Sequence, residues 1–419
     1  MSEQLQALRA QLARQVSHWV TAAARLDPDD LASAEAWSRL ERYLGLSLRQ
    51  HLEGVIASVR AEGDILTAML RSAGSVTALR ELRQRLLTFR RKFMRAETTL
   101  DFYADAINTR TSSHTAGLLR ACDILAHRSM ALALDQLGHR TPVVLTYVDK
   151  GLGASILKAG LRLWDGGKES PAAAIKIVRH NLLRPTALLH EAGHQFAHIV
   201  DWNRELAETL DRGLADAPEG VAEAWASWAS EIAADAFAFA HTGYASVAAL
   251  HDVLAGEGSF VFRHTPGDPH PICYLRVLLG TETCRYFYGA GPWDELAASW
   301  SASYPAAGAN ARTQRLLEES VPLLPRIVRL TLDTPQRALR GRSLRALVSP
   351  ERVSPAELQA MEARLGTSLY TSMHWVWEEC IRLLALTGWR VAVAPAEATE
   401  TLKLQETSML RLGGSLQAA

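Results

Sequence analysis

The sequence of 419 residues has few cysteines and no cysteine motif. Its four cysteines are widely spaced and form no CxxC pair: Cys122, Cys273, Cys284 and Cys380. This spacing argues against a thiolate zinc site and favours reduced core thiols over a disulfide framework. Reduced thiols are typical of the cytoplasm, which is the location that we expect for this protein.

Net charge and long apolar runs are also missing. The 45 basic residues balance 45 acidic residues, so the whole molecule has no electrostatic reason to bind nucleic acid or anionic lipid. The nearest candidate for a membrane span, residues 224–250, is interrupted by Glu231, Asp235 and His241, whereas a span needs about 20 mostly apolar residues. The first ten residues do not resemble a secretory signal. We therefore predict no nucleic-acid partner and no membrane span.

Helical periodicity dominates the first 138 residues. One stretch alternates apolar positions three and four residues apart: Leu79, Leu82, Leu86, Phe89, Phe93, Ala96, Leu100, Tyr103 and Ile107. This seam predicts a long helix in a bundle or coiled-coil-like region over residues 1–138. Turn signals stand at Asp27-Pro28, Gly63 and Gly74. The basic residues between 80 and 95 are interpreted as a solvated face, because the aromatic residues lie on the seam.

Composition changes after Gly138. Residues 142–148, 155–164 and 173–178 are strand candidates, and the turn chemistry of residues 165–168 favours a small antiparallel sheet before the next helix. We predict a mainly α (α+β) fold with a gluzincin-like catalytic core over residues 139–300 and a C-terminal helical region over 301–419. Gly151-Leu152-Gly153 lacks the third glycine of a dinucleotide-binding fingerprint.

An HExxH pattern occurs at residues 190–194, which read HEAGH. Pro185 opens a helix here, and an apolar face supports it: Leu188, Leu189, Ala192, Phe196 and Ile199. Because His190 and His194 lie four residues apart on one helical face, both imidazoles can reach a single zinc ion. Glu191 is rotated by about 100° from His190, where it can address a metal-bound water as general base.

An open catalytic zinc site requires a third protein ligand. The metzincin arrangement is excluded, because Ala197 and Val200 stand where it needs glycine and histidine. The better candidate is Glu231, 37 residues beyond His194. Asp235 shares its helical face and is placed to accept the ring N–H of a ligating histidine. The neighbouring residues are apolar, and a buried carboxylate pair without a cation would be costly.

A third segment, residues 268–276, combines a proline-braced histidine with an arginine. It reads DPHPICYLR and contains His270 in a loop and Arg276 on the helix predicted to follow. Either side chain could stabilise an oxyanion. Cys273 offers a separate hypothesis, in which its thiolate occupies the open zinc position and holds the protein latent.

The chain resembles peptidase family M48 of the gluzincins in the order of four segments: HEAGH, EIAAD, FAHTGYASVAALHDVL, and HP followed by Arg276. This family includes the CAAX-prenyl endopeptidases and the HtpX quality-control peptidases, and the match covers about Ile175 to Leu279. By this resemblance His241 and Tyr244 belong to a structural, helix-ending turn. Many family members are membrane-embedded or periplasmic, whereas this chain shows neither a span nor a signal.

The resemblance implies three zinc ligands: His190, His194 and Glu231. It implies that Glu191 is the catalytic base and that Asp235 orients a ligand. His270 and Arg276 become contacts to the substrate or the transition state. The implied cofactor is Zn²⁺.

These residues lead to the hypothesis of a zinc-dependent endopeptidase. Glu191 would take a proton from the attacking water and return it to the leaving amine, while the substrate pairs with an edge strand at residues 173–178. The alternatives are a non-catalytic binding or regulatory protein with a structural zinc clamp, and a zinc hydrolase of a non-peptide amide. The expected partners are a protein or peptide substrate, and an oligomer or protein partner bound through the helical regions.

Overall fold

The computed structural model describes residues 3–151, 155–157 and 172–414. Helices account for 77% of the structure and strands for 5%, which confirms the mainly α (α+β) fold class. Tertiary contacts divide the chain into two compact units. One contains Met1–Thr111 and Leu157–Ala174, and the other contains Ser112–Ile156 and Ile175–Ala419.

The described part of the first unit contains four α-helices: α1 (Glu3–Ala24), α2 (Ala34–Leu44), α3 (Leu48–Ser72) and α4 (Val76–Asn108). Every residue of the predicted seam is buried on α4, which confirms the long helix. The seam shares a core with apolar residues of α1 and α3, including Leu12 and Val59. Asp27 caps a short 3₁₀ turn at Pro28–Asp30 by accepting from the backbone N–H of Asp29.

The predicted turn at Gly63 is wrong, because Gly63 lies inside α3. A Cβ atom at this position would stand 3.3 Å from Val20 of α1 and 3.7 Å from Phe89 of α4. The glycine therefore serves close helix packing rather than a turn. Gly74 lies between α3 and α4, where a turn was expected.

Among the described residues, three strands form one sheet: β1 (Val143–Asp149), β2 (Ser155–Leu157) and β3 (Ala172–Val178). Their order is β1-β3-β2, so β3 has a neighbour on each side. The strands predicted at 142–148 and 173–178 are confirmed, and the one predicted at 155–164 is confirmed for residues 155–157, while 158–164 lie outside the described residues. The edge position expected for residues 173–178 is wrong, because β2 pairs beside β3. The predicted turn at 165–168 and most of the Gly151–Gly153 segment lie outside the described residues.

The helices that follow Ser112 are all part of the second unit: α5 (Ser113–Leu134), α6 (Thr186–Ile199), α7 (Trp202–Gly213), α8 (Val221–Ser227), α9 (Ala229–Thr242), α10 (Tyr244–Leu254), α11 (Gly258–Val261), α12 (Cys273–Tyr288), α13 (Pro292–Ser303), α14 (Ala311–Ser320), α15 (Leu324–Leu332), α16 (Leu344–Leu347), α17 (Pro355–Leu365), α18 (Ser368–Thr371), α19 (Met373–Glu378), α20 (Cys380–Val393) and α21 (Ala398–Gly414). One hydrophobic core contains residues from Leu118 to Leu412. The domain boundaries at 138 and 300 remain predictions.

The four cysteines form no disulfide among the described residues, which agrees with the reduced thiols expected from their spacing. Cys122, Cys284 and Cys380 are buried, and Cys273 is half-buried. Within the described ranges, none of the helices has the combination of length and apolar character that crossing a membrane requires.

Helices α6 and α9 pack closely at Gly193. A Cβ atom there would lie only 2.9 Å from the Cα atom of Ala234 and from the Cβ atom of Phe237. These atoms belong to the α9 backbone and to the base of a buried side chain, so they cannot move independently of the helix. Gly193, the fourth residue of HEAGH, therefore determines how near the two helices approach.

Replacing Gly193 with alanine is expected to destabilise the protein. Alanine normally improves a helix interior by about 0.5–1 kcal/mol over glycine, but overpacking against α9 should cost about 1–3 kcal/mol and reverse the sign. Urea unfolding followed by circular dichroism measures the change. Gly258→Ala is the matched control, since no atom lies within 4 Å of a Cβ at that position. A Gly193→Ala variant as stable as the control would contradict this account of the packing.

Candidate metal centre

Helix α6 presents two histidines one turn apart. Pro185 precedes its first residue, Thr186, and Leu188 and Leu189 are fully buried, so the apolar face predicted for this segment anchors the helix in the core. On the opposite side, the rings of His190 and His194 meet edge-on with their centroids 4.7 Å apart. His194 is buried and His190 is partly exposed.

Helix α9 brings Glu231 against both rings. Its Oε2 atom lies 3.4 Å from Nε2 of His190, and its Oε1 atom lies 3.1 Å from Nε2 of His194. One ligand atom from each of the three residues falls within 4.8 Å of the others. The chain thus gathers two imidazoles and one carboxylate, contributed by helices far apart in sequence, into a group that could hold a metal ion.

The donor set fits a tetrahedral site with one open position. Two nitrogen donors and one oxygen donor are the composition of a common catalytic zinc site. Ligands about 2.05 Å from a tetrahedral ion stand about 3.3 Å apart, and the two histidine–carboxylate separations bracket this value. Small side-chain adjustments would therefore allow all three groups to reach one ion.

Asp235 lies one turn beyond Glu231 and approaches the far side of His190. Its Oδ1 atom lies 2.8 Å from Nδ1 of His190, although the two groups are not aligned for a full hydrogen bond. Ser230 occupies the equivalent place beside His194, with its Oγ atom 3.4 Å from Nδ1. Each histidine therefore has a polar neighbour at its outer nitrogen, and the Ser230 contact was not predicted from the sequence.

Arg276 on α12 is buried behind the carboxylates. Its Nε and Nη2 atoms donate to the two oxygens of Asp235 at 2.6 and 2.8 Å. Nη2 also lies 3.1 Å from Oε2 of Glu231. The guanidinium thus engages two carboxylates of the group at once. The sequence predicted that Arg276 would lie near the site, but not this bridging geometry.

The charged groups of this cluster shift one another's pKa values. Burial alone would raise the pKa of Glu231 and Asp235, but His190 and Arg276 lower it for both, to about 2 for Asp235. Burial would likewise lower the pKa of His190, and the neighbouring carboxylates overcome this effect and raise it to about 9. Both carboxylates therefore remain ionised at neutral pH, as the ligand Glu231 must, whereas His190 carries a proton that a bound metal ion would displace.

Glu191 differs from the other acidic residues of the site. It is 6% exposed, yet its carboxylate forms no hydrogen bond or ion pair within the described ranges. Burial raises its pKa, partly opposed by His190 and His194. A largely buried carboxylate with a raised pKa and no bound partner has the properties required of a general base.

His270 lies at the exposed rim of the group. Its Nε2 atom is 3.7 Å from Oε1 of Glu231, and its ring is 59% exposed. Asp268 holds the loop by accepting from the backbone N–H of His270 and by contacting its Nδ1 atom at 2.7 Å. In the same segment, burial raises the pKa of the Cys273 thiol, which opposes the thiolate required by the latency hypothesis.

His241 and Tyr244 are both buried at the junction of α9 and α10. Gly243 between them has a φ of 57°, a left-handed conformation that glycine adopts without strain. A Cβ there would also lie 2.8 Å from the carbonyl oxygen of Val353. The ring of His241 contacts Phe237, with centroids 4.6 Å apart. These contacts fit the structural role expected for the turn.

His241 is expected to weaken the fold in acid. Burial, assisted by the Arg352 charge, lowers its pKa from 6.5 to about 3. The imidazole of His241 therefore becomes protonated below pH 6.5 in the unfolded chain, but only near pH 3 in the folded chain. The free energy of unfolding falls as the pH drops through this window. The loss at pH 5 relative to pH 8 should be about 2 kcal/mol. Unfolding titrations at the two pH values should show a smaller loss for His241→Phe, and an unchanged loss for the exposed control His374→Phe. Equal losses in the wild type and His241→Phe would contradict the assignment.

No family model, curated protein or solved structure matches this chain. The chemical interpretation of the centre therefore rests on its own residues.

Proposed function

We propose that this protein is a zinc-dependent endopeptidase with His190, His194 and Glu231 as its metal ligands. The observation that carries the proposal is the convergence of α6 and α9, which places these three side chains within 4.8 Å of one another at their ligand atoms. The unpartnered Glu191 carboxylate beside them adds a group that a purely structural metal site does not need. The proposal includes the cytoplasmic location and the M48-like gluzincin character inferred from the sequence.

Glu191 acts as the general base in this proposal. A bound zinc ion would supply Lewis acidity that polarises a peptide carbonyl and makes a water molecule acidic near neutral pH. Glu191 accepts the proton of the attacking water, and its raised pKa lets it return that proton to the leaving amine. Its lack of any other partner keeps the carboxylate available for both transfers.

The remaining residues position the ligands or contact the substrate. Asp235 lies against Nδ1 of His190, where it favours the tautomer with Nε2 free for the metal. Arg276 holds Asp235 and Glu231 together from behind, so its role is to position them. His270 has an exposed ring 3.7 Å from Glu231 and is the candidate for a contact to the developing oxyanion.

Metal analysis combined with substrate profiling tests the proposal. The purified chain is expected to bind one zinc ion and to lose it in His194→Ala, and its incubation with a proteome should generate new peptide N-termini. A structural zinc clamp would bind the ion without making cuts that depend on Glu191. A hydrolase of non-peptide amides would also leave the proteome uncut, and it would turn over small amides instead. Absence of zinc binding would refute the metal centre itself.

A further inference from the structure

Six residues on the outer side of α4 follow a second heptad pattern. They alternate four and three residues apart, and we call them the arginine–leucine face: Val76, Arg80, Arg83, Leu87, Arg90 and Met94. At 100° per residue they fall within an arc of about 80° and extend over about 27 Å of helix. This spacing is that of the a and d positions by which one helix packs against another.

The arginine–leucine face is exposed along its length, unlike the seam of the same helix. Val76 is 43% exposed, Leu87 36% and Met94 50%, so three apolar side chains of this stripe lie open to solvent. The buried seam from Leu79 to Ala96 packs against apolar residues of α1 and α3. The arginine–leucine face is a second stripe with helix-packing spacing, and its side chains are exposed in the part of the chain that the structure describes, although Arg90 also contacts α1.

The arginines of this face also have few partners of opposite charge. Arg80 and Arg83 form no ion pair with any described residue, and Arg90 lies over the ring of Trp19 at 5.0 Å. In contrast Lys92, which points elsewhere on the same helix, pairs with Glu62 at 2.7 Å. The guanidinium groups of Arg80 and Arg83 are thus available to an acidic partner, and that of Arg90 has no carboxylate of its own.

We propose that the arginine–leucine face binds an acidic amphipathic helix of a partner protein. Carboxylates of that helix would face Arg80, Arg83 and Arg90, while its apolar side chains would cover Leu87 and Met94. A second copy of this chain fits poorly, because parallel pairing would bring each arginine against its own equivalent. Nucleic acid would engage the arginines but would leave the apolar side chains uncovered.

A designed helix provides the probe. A fluorescent peptide of about four heptads, with glutamate at d and at the a position that faces Arg80 and with leucine at the other a positions, is titrated with the full-length chain and followed by anisotropy. Binding is expected to be roughly tenfold or more tighter than for the same peptide with lysine at d, and to weaken as salt rises. The charge reversal R80E/R83E/R90E should weaken binding by roughly tenfold or more. L87A/M94A, which keeps the charges, should weaken it several-fold.

The matched control is R14E/R25E/R71E, which reverses three exposed arginines elsewhere in the same unit and should leave affinity unchanged. Circular dichroism checks that every variant is folded. The proposal is overturned if the glutamate peptide binds no better than the lysine peptide, or if the two triple variants behave alike. It is also overturned if only phosphatidylserine vesicles or an oligoribonucleotide bind in an R80E/R83E/R90E-sensitive manner. Self-association of the chain abolished by L87A/M94A would identify a second copy as the occupant instead.

Discussion

Replacing Glu191 with glutamine is expected to reduce peptide hydrolysis by about a thousandfold while the protein keeps its zinc. General bases contribute about 10²–10⁴ to a rate, and glutamine cannot accept the proton. The three ligand side chains are untouched, so zinc binding should remain at one ion per chain. The measurement pairs turnover of a profiled peptide with metal analysis of the same sample.

Stability distinguishes loss of the base from damage to the fold. Because Glu191 is a buried carboxylate without a partner, a neutral glutamine should leave the protein as stable at neutral pH or make it more stable. Glu223→Gln is the matched control, since Glu223 is exposed on α8 and should keep full activity. If Glu191→Gln hydrolyses peptides at the wild-type rate, Glu191 is not the base. If it loses its zinc, the loss of activity has another cause.

Features that depend on neighbouring positions along one helix could be predicted from the sequence. The seam from Leu79 to Ile107 and the shared face of His190 and His194 both follow from 3.6 residues per turn, and both are present on α4 and α6. Predicting that Glu231 lies against those histidines required one further step of reasoning. That step rested on the cost of burying carboxylates without a cation, and α9 does place Glu231 against both rings.

Features that depend on contacts between distant segments could not be predicted in this way. Gly63 reads as a helix breaker, yet its role is set by Val20 and Phe89, which approach it from two other helices. The central position of β3 depends on which strands pair on each side of it, and a strand pattern carries no information on pairing. The orientation of Arg276 is set by Asp235 and Glu231 on α9, about 40 residues earlier in the chain, which its guanidinium contacts. In the sequence, Arg276 lies near the start of a helix that follows a loop. This position is equally compatible with a guanidinium that faces the substrate.

Replacing Arg276 with leucine is expected to cost about 3–5 kcal/mol of stability, because it leaves the carboxylates of Asp235 and Glu231 buried without their guanidinium. Zinc affinity should fall by about 10–100-fold, since residues that orient metal ligands have effects of this size. Arg285→Leu is the matched control on the same helix. Arg285 is exposed and bonds Asp294, so its loss should cost at most about 1 kcal/mol.

A double variant separates positioning from simple loss of packing. The double variant R276L/D235L also removes the Asp235 carboxylate, which Arg276→Leu alone leaves without its cation, so part of the lost stability should return. Zinc affinity should stay low, because His190 has lost the group beside Nδ1 and Glu231 has lost its cation. Arg276→Lys keeps a charge without the fork that spans Asp235, and should give intermediate values for both measurements. If Arg276→Leu instead kept stability and zinc affinity and lost only turnover, the guanidinium would act on the substrate, as the sequence first suggested.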